Sequence, residues 1–420
     1  MTTKQLHQEF LAGSGICTDT RNIVENCFFI ALKGANFNGN TFADEAVKKG
    51  AYRVVIDDEA FKNEKTILVK DTLTALQELA AFHRKHLKLP ILSLTGSNGK
   101  TTTKELINAV LSKKYKTIAT QGNLNNHIGV PLTLLSMTSE TEMGIVEMGA
   151  NHLHEIENLC QIAQPDYGYI TNFGKAHLEG FGSLEGVVKG KSELYTHLKD
   201  HDKTVFVNGA ETKQLELTKT MNRVVFNETI IQLMDASNEV KVKFKNTEIQ
   251  SKLVGLYNFN NIAAAIAIGD YFNVPEEQIK TAIEGYIPQN NRSQRLEKAG
   301  HKILLDAYNA NPTSMMAALE NFKQAEGNRK ILILGDMFEM GSEAEKEHQH
   351  IVDFLEQNPF GKAYLVGSNF NKTKTKASHI KTFESFDDFK KQFKAKDFKN
   401  CFFLIKGSRG MALERVLNLL

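Results

Sequence analysis

One stretch limits what this chain can fold into: Thr95-Gly96-Ser97-Asn98-Gly99-Lys100-Thr101-Thr102. An apolar run, Ile91-Leu92-Ser93-Leu94, precedes it and reads as a short buried strand. A helical pattern from Lys104 to Leu111 follows. Strand, Gly-rich turn, Gly-Lys-Thr and helix together form a phosphate cradle, with backbone N–H groups and a helix N-terminus pointing at anionic oxygens. Lys100 is placed to contact β/γ-phosphates and the Thr101 hydroxyl to bind Mg²⁺. The general pattern has a Gly five residues before Gly99, where this chain has Leu94, so the match is to a shorter G-x-x-G-K-T form. The alternative is a Gly-rich turn carrying a chance lysine.

The rest of the chain is read around that cradle. At 420 residues it exceeds one ordinary core, so two to three domains are expected. Lys and Arg total 51 against 49 Asp and Glu, a net +2, so no global field favours nucleic acid or a membrane surface. The four cysteines lie far apart without a C-x-x-C, which argues against a zinc site or disulfide framework and fits a reducing cytoplasm. No signal-like N-terminus or 18-residue apolar run appears, so a soluble cytoplasmic protein without membrane insertion is expected.

Residues 1–88 read as a small α/β domain, with a strand at 27–32, a helix at 42–50, strands at 52–56 and 67–69, and a helix capped by Asp71. Asp19-Thr20-Arg21 is either a phosphate-holding trio or a solvated loop. Residues 89–295 form the cradle domain with a mostly parallel sheet, after a Lys88-Leu89-Pro90 linker. Its polar loop Gly122-Asn123-Leu124-Asn125-Asn126-His127 either reads ligand groups or makes turns. The strand 144–150 ends in Glu147, where such folds place a metal-binding carboxylate. His177 follows the strand 166–172. Ser183 is a plausible N-cap for the helix 184–198, and of its Lys189 and Lys191 at most one faces the site. Asn258 and Asn261 open an Ala-rich helix at 262–271, where one is expected to cap it. A second linker falls near Pro288-Gln289-Asn290-Asn291. Residues 296–420 alternate strand and helix as a doubly wound parallel sheet with polar strand ends: Asp306 to Asn311, Asp336 and Lys406 to Gly410.

In these blocks the chain resembles the Mur ligase family, across all three segments. The family-level marks are Thr95 to Thr102, Glu147, His177, Lys191 in Lys-Ser-Glu-Leu-Tyr, and Asn258 with Asn261. Five further blocks are similar to the type that adds D-alanyl-D-alanine to UDP-N-acetylmuramoyl-tripeptide: 123–131, 147–150, 176–183, 308–312 and 334–341. The resemblance implies three domains: a small N-terminal α/β UDP-binding domain, a central P-loop ATPase domain and a C-terminal Rossmann-like domain. It implies ATP, two Mg²⁺ ions and CO₂, the last as a carbamate on Lys191. Thr101, Glu147, His177 and the carbamylated Lys191 are the implied metal ligands, and Lys100, Glu147, His177 and Lys191 the implied catalytic groups. Asn261 matches an adenine-contacting position. Asp306 and Arg292 match positions near ribose and γ-phosphate, with Arg295 a neighbouring alternative. Thr20 and Arg21, with Lys33 and Gly34, match a UDP-binding pattern. Asn125, Asn126 and His127, with Tyr308, Asn309 and Asn311, are expected to contact the peptide substrates. The chain departs from the family at Tyr257, where a His is usual, and at Asn40, where a Gly-His pair is common. A folylpolyglutamate-type ligase and a non-ligating nucleotide-binding protein are the rival readings. A monomer is expected.

Overall fold

The fold was read from a computed structural model, which describes every residue except Asn290 and Asn328. Asn290, inside the expected second linker, lies outside the described residues. Short α/β units build four parallel strands in the N-terminal domain, in the order Ile16–Cys17, Phe28–Ile30, Arg53–Ile56, Thr66–Leu68. Asp71 caps the helix Thr72–Leu87 by accepting from the Thr74 N–H, as its position predicts.

The central sheet is fully parallel, in the order Arg223–Phe226, Thr204–Asn208, Tyr167–Ile170, Ile91–Thr95, Met143–Glu147, Thr117–Ala119. The cradle strand Ile91–Thr95 therefore sits between the strand ending at Glu147 and the strand leading to His177. That order brings three distant segments to one carboxyl edge, the edge at which α/β sheets bind ligands. Behind the sheet, an antiparallel meander (Ile231–Asp235, Glu239–Phe244, Thr247–Val254) and the helix Tyr257–Tyr271 share one apolar core with the cradle helix Lys100–Leu111. Ala263 to Gly269 are all buried, as expected of a helix that is apolar all round. It packs closely on the cradle helix: a Cβ on Gly269 would lie 2.4 Å from Val110 Cγ1.

That helix corrects one expectation. It begins at Tyr257, so Asn258 and Asn261 lie inside it and neither caps it. The chain turns in at Gly255 (φ +91°), and the first-turn N–H groups of Asn258 and Phe259 reach the Gly255 and Leu256 carbonyls. Asn258 Nδ2 instead donates to the Val254 carbonyl (2.8 Å), and Asn261 Nδ2 to Asn258 Oδ1 (2.8 Å).

The C-terminal sheet runs Gln294–Lys298, His301–Asp306, Phe402–Lys406, Lys330–Gly335, Lys362–Val366, Ile380–Phe383. Five of these strands are parallel, but Gln294–Lys298 pairs antiparallel with His301–Asp306. The expected all-parallel sheet thus carries an antiparallel edge, and this sheet starts two residues before the expected boundary at 296. One core cluster runs through all three domains, joining Phe28, Val146, Ile170 and Leu332, all at or near zero exposure. Each such side chain contributes about 1.5–3 kcal/mol on burial. No described helix is long and apolar enough to cross a membrane.

Candidate active site

The cradle is held from below by the neighbouring strand end. Asn98 N–H donates to Asn172 Oδ1 (3.1 Å), and the Asn98 carbonyl accepts from Thr171 Oγ1 (2.6 Å) and Asn172 Nδ2 (3.0 Å). Ser97 Oγ donates to the Gly174 carbonyl at 2.9 Å, and the Ser97 N–H to that of Asn172 at 3.1 Å. These bonds fix the loop before any ligand arrives. Gly99 takes φ +81°, and a Cβ there would lie 2.5 Å from Asn261 Oδ1. Asn261 also accepts from Thr103 Oγ1 (3.0 Å), so the Ala-rich helix braces the cradle directly.

Lys100 Nζ folds back to the Gly96 carbonyl (2.7 Å) and reaches that of Ser97 (3.3 Å). Burial lowers its pKa, and the nearby Glu147 carboxylate opposes that shift. Glu147 is 1% exposed. Its Oε1 accepts from Asn125 Nδ2 (2.7 Å) and lies 3.3 Å from Thr101 Oγ1. Its Oε2 is buried without a partner among the described residues. A buried carboxylate oxygen with no donor, beside a Thr hydroxyl at a phosphate cradle, fits a hard oxygen-seeking cation.

The three asparagines of the polar loop divide the two readings left open above. Asn126 makes a turn, its Oδ1 accepting from the Ile128 and Gly129 N–H groups. Asn125 contacts Glu147, and Asn123 lines the cavity. Of the two helix lysines, Lys189 is exposed and Lys191 is fully buried. Lys191 Nζ donates to the Ala150 carbonyl (2.8 Å) and sits 5.1 Å from the centroid of the Phe181 ring. Burial, with the Lys100 charge nearby, drives its pKa well below the usual lysine value.

A cavity of about 690 Å³ opens between the cradle and the C-terminal domain. The central-domain wall includes Lys100, Thr101, Asn125, Asn126, His127, Glu147, His177, Asn258 and Asn261. The facing wall includes Arg292, Asp306, Tyr308, Asn309, Asn311 and Lys406. Arg292 stacks over the Tyr308 ring at 3.7 Å, and its Nε has no partner among the described residues. Arg295, the alternative, points away: it reaches Asn238 and lies 3.5 Å from Glu239. Asp306 Oδ2 accepts from Lys406 Nζ (2.5 Å), and its Oδ1 from the Ser293 N–H (3.1 Å). Tyr257, in the position of the family's usual His, hydrogen-bonds Ser293 Oγ at 2.8 Å. The two walls meet where Asn311 Nδ2 donates to Asn98 Oδ1 (2.7 Å) and where Lys175 Nζ pairs with Glu347 (2.6 Å).

Some expected site residues are not brought together. Thr20, Arg21, Lys33 and Gly34 do not line this cavity. Arg21 pairs with its own neighbour Asp19 at 2.6 Å, and Lys33 with Asp57 at 2.9 Å. Buried Asn40 also bonds Asp57, from Nδ2 at 2.8 Å. Of the four expected metal ligands, Thr101 and Glu147 are adjacent, whereas His177 turns to Glu339 (2.5 Å). Among the described residues no cluster of three or more His, Cys, Asp or Glu is arranged to hold a metal ion. The sequence reading gave Glu339, which lies in the 334–341 block, and Glu347 and Lys175 no role, because their partners are more than 160 residues away along the chain.

Two family patterns match this chain. The Mur ligase middle domain spans residues 94–269, and the Mur ligase glutamate ligase domain spans residues 291–409. UDP-N-acetylmuramoyl-tripeptide–D-alanyl-D-alanine ligase of Bacillus subtilis is 34% identical over 96% of this chain and 92% of its own length. The chain belongs to the Mur ligase family. The Escherichia coli enzyme with the same name as the Bacillus one is 32% identical over 96% of this chain and 93% of its own. Among solved structures, MurF from Acinetobacter baumannii superposes with a TM-score of 0.87 at 30% identity, covering 99% of this chain and 98% of that one. MurF ligase from Thermotoga maritima in complex with ADP superposes at 0.84 with 26% identity, covering 97% of each chain. Within this Mur ligase, the cradle, Glu147, His177, Lys191 and Asn261 all fall inside the matched middle domain.

Proposed function

We propose that this protein is an ATP-dependent ligase that joins D-alanyl-D-alanine to UDP-N-acetylmuramoyl-tripeptide, giving ADP and phosphate. The carrying observation is the two-walled cavity, with a phosphate cradle on one side and the polar strand ends of a second α/β domain on the other. Amide formation in water is uphill, so the acid must first be activated. The terminal carboxylate of the tripeptide attacks the γ-phosphorus of ATP and ADP leaves. The amine of the dipeptide then attacks the acyl carbon and phosphate leaves. Lys100, swung from its own loop, and Arg292, stacked on Tyr308, are the cations facing the charge that develops on the phosphoryl oxygens. Asp306, fixed by Lys406, is assigned to a ribose hydroxyl, Asn261 to the adenine, and Asn258 to the ATP site beside it.

Thr101 and Glu147 are the residues that would hold Mg²⁺, whose chemistry when bound is to neutralise charge on the phosphates. Lys191 supports the carbamate reading through its burial, which favours the uncharged amine, the form that combines with CO₂ to give a carboxylate-like oxygen ligand. His177 completes this second set. Asn125, Asn126 and His127 face the tripeptide, and Tyr308, Asn309 and Asn311 the dipeptide. Thr20 and the exposed Arg21, with Lys33 and Gly34, are assigned to the UDP moiety in the N-terminal domain. Residues 1–88, 89–295 and 296–420 are the three working units, with Gln294 and Arg295 paired into the sheet of the last one, and a cytoplasmic monomer is the working form. Phosphate release from ATP by the purified protein, measured with each acceptor omitted in turn, tests the assignment. Release that needs both the nucleotide-linked tripeptide and D-alanyl-D-alanine supports it, and release indifferent to either one refutes it.

A further inference from the structure

His177 and Glu339 belong to different domains, 162 residues apart, yet His177 Nδ1 lies 2.5 Å from Glu339 Oε2. The backbone repeats the contact, since the Glu179 N–H donates to the Glu339 carbonyl at 3.2 Å. Both residues adopt the left-handed conformation, His177 at φ +54° and Glu339 at φ +60°. That conformation is unfavourable for a non-glycine residue, and it persists only where surrounding contacts over-determine it. Two such residues facing each other across a domain boundary mark a built contact.

The chemistry of the pair sets the imidazole. A carboxylate only accepts hydrogen bonds, so Nδ1 carries a proton in this contact, and in the neutral ring the lone pair is then on Nε2. Among the described residues no hydrogen bond engages Nε2, and His177 lines the cavity beside the cradle. A histidine that binds a metal usually donates its other N–H to a carboxylate, which fixes both the tautomer and the ring angle.

We propose that Glu339 is a positioning residue for His177: it fixes the Nδ1–H tautomer and presents Nε2 to the cation that accompanies the phosphates. Glu339 itself touches no substrate. Because it comes from the C-terminal domain, the ligand is set only when that domain meets the central one, so closure and completion of the metal site are one event. This inference rests on the nucleotide-site reading given above.

The test uses the full-length protein with ¹⁵N-labelled histidine. Long-range ¹H–¹⁵N spectra read the tautomer of His177, and a Mg²⁺ titration with ADP present reads affinity. Wild type shows protonated Nδ1 and unprotonated Nε2. Glu339→Ala loses this preference and weakens Mg²⁺ about 10–100-fold, the range for removing such outer partners. Glu339→Gln, which keeps an acceptor oxygen, retains the tautomer and guards against a folding artefact. A Glu339→Ala protein with wild-type tautomer and wild-type Mg²⁺ affinity overturns the proposal. A changed tautomer in a protein whose wild type binds no ADP supports the pair and overturns the nucleotide reading instead.

Discussion

Breaking the Lys175–Glu347 ion pair should shift the protein toward an open arrangement of its central and C-terminal domains. Glu347 lies in the helix Ala344–Gln357 with 4% of its side chain exposed, and Lys175 Nζ reaches its Oε1 at 2.6 Å. Lys175 sits in the loop after the strand Tyr167–Ile170, and its N–H donates to Thr313 Oγ1 of the C-terminal domain (3.1 Å). Removing one partner of a fully buried pair costs about 3–5 kcal/mol, and of an exposed pair about 0.2–1 kcal/mol. Because 47% of the lysine side chain remains exposed, the pair falls between, at about 1–2 kcal/mol. Since 1.4 kcal/mol is a factor of ten, the closed-to-open ratio should fall roughly 5- to 30-fold. Donor and acceptor dyes on the two domains read that ratio with ADP and Mg²⁺ present. Lys175→Met and Glu347→Gln should each lower it, and the double variant should fall less than the sum of the two, with a coupling near 1 kcal/mol. Additive effects would show that the pair is incidental and that closure rests on other contacts.

Three further outcomes are expected. Gly99→Ala forces a Cβ against Asn261 Oδ1 at a left-handed position, a strain of about 1–2 kcal/mol, and should weaken ADP roughly tenfold or more by calorimetry; unchanged affinity would contradict the cradle assignment. Lys191→Met should melt as cooperatively as wild type, since an apolar chain suits the buried site, yet lose turnover, and ¹³C-labelled bicarbonate should give a carbamate signal in wild type alone. Stability should depend on the buried pair His7 Nε2···His83 Nδ1 (2.9 Å), whose second ring reaches the Met137 carbonyl at 2.9 Å. Burial, with neighbouring His83 and His86, holds His7 down to about 4, and burial also lowers His83. The native state then binds fewer protons than the unfolded chain, so this stability is complete above pH 6.5 and is lost as pH falls toward 4. The melting temperature should drop across that window, and His7→Phe should flatten the drop.

Much of the site is legible in sequence because its chemistry is local. The cradle, Glu147 at a strand end and the Ser183 cap each depend on residues a few positions apart. Helical geometry set Lys189 and Lys191 on opposite faces, and the structure buries Lys191 against the Ala150 carbonyl. What stayed illegible was tertiary. Asn98 meets Asn311 across 213 residues and His177 meets Glu339 across 162, and no local pattern announces either pair. The strand Gln294–Lys298 escaped because it is a mostly exposed edge with polar residues on both faces, so no alternation marks it. The asparagine-capped helix start failed for a similar reason: Gly255 lets the chain turn in earlier than its apolar periodicity begins.

The central claim is that the acid is activated as an acyl phosphate in the cavity between the two domains. Tripeptide labelled with ¹⁸O in its terminal carboxylate tests it most directly, with the released phosphate read by ³¹P NMR. Attack of the carboxylate on the γ-phosphorus predicts one ¹⁸O in each phosphate formed. Phosphate free of ¹⁸O would mean that water, not the substrate acid, had taken the phosphoryl group, and the ligase account would fall.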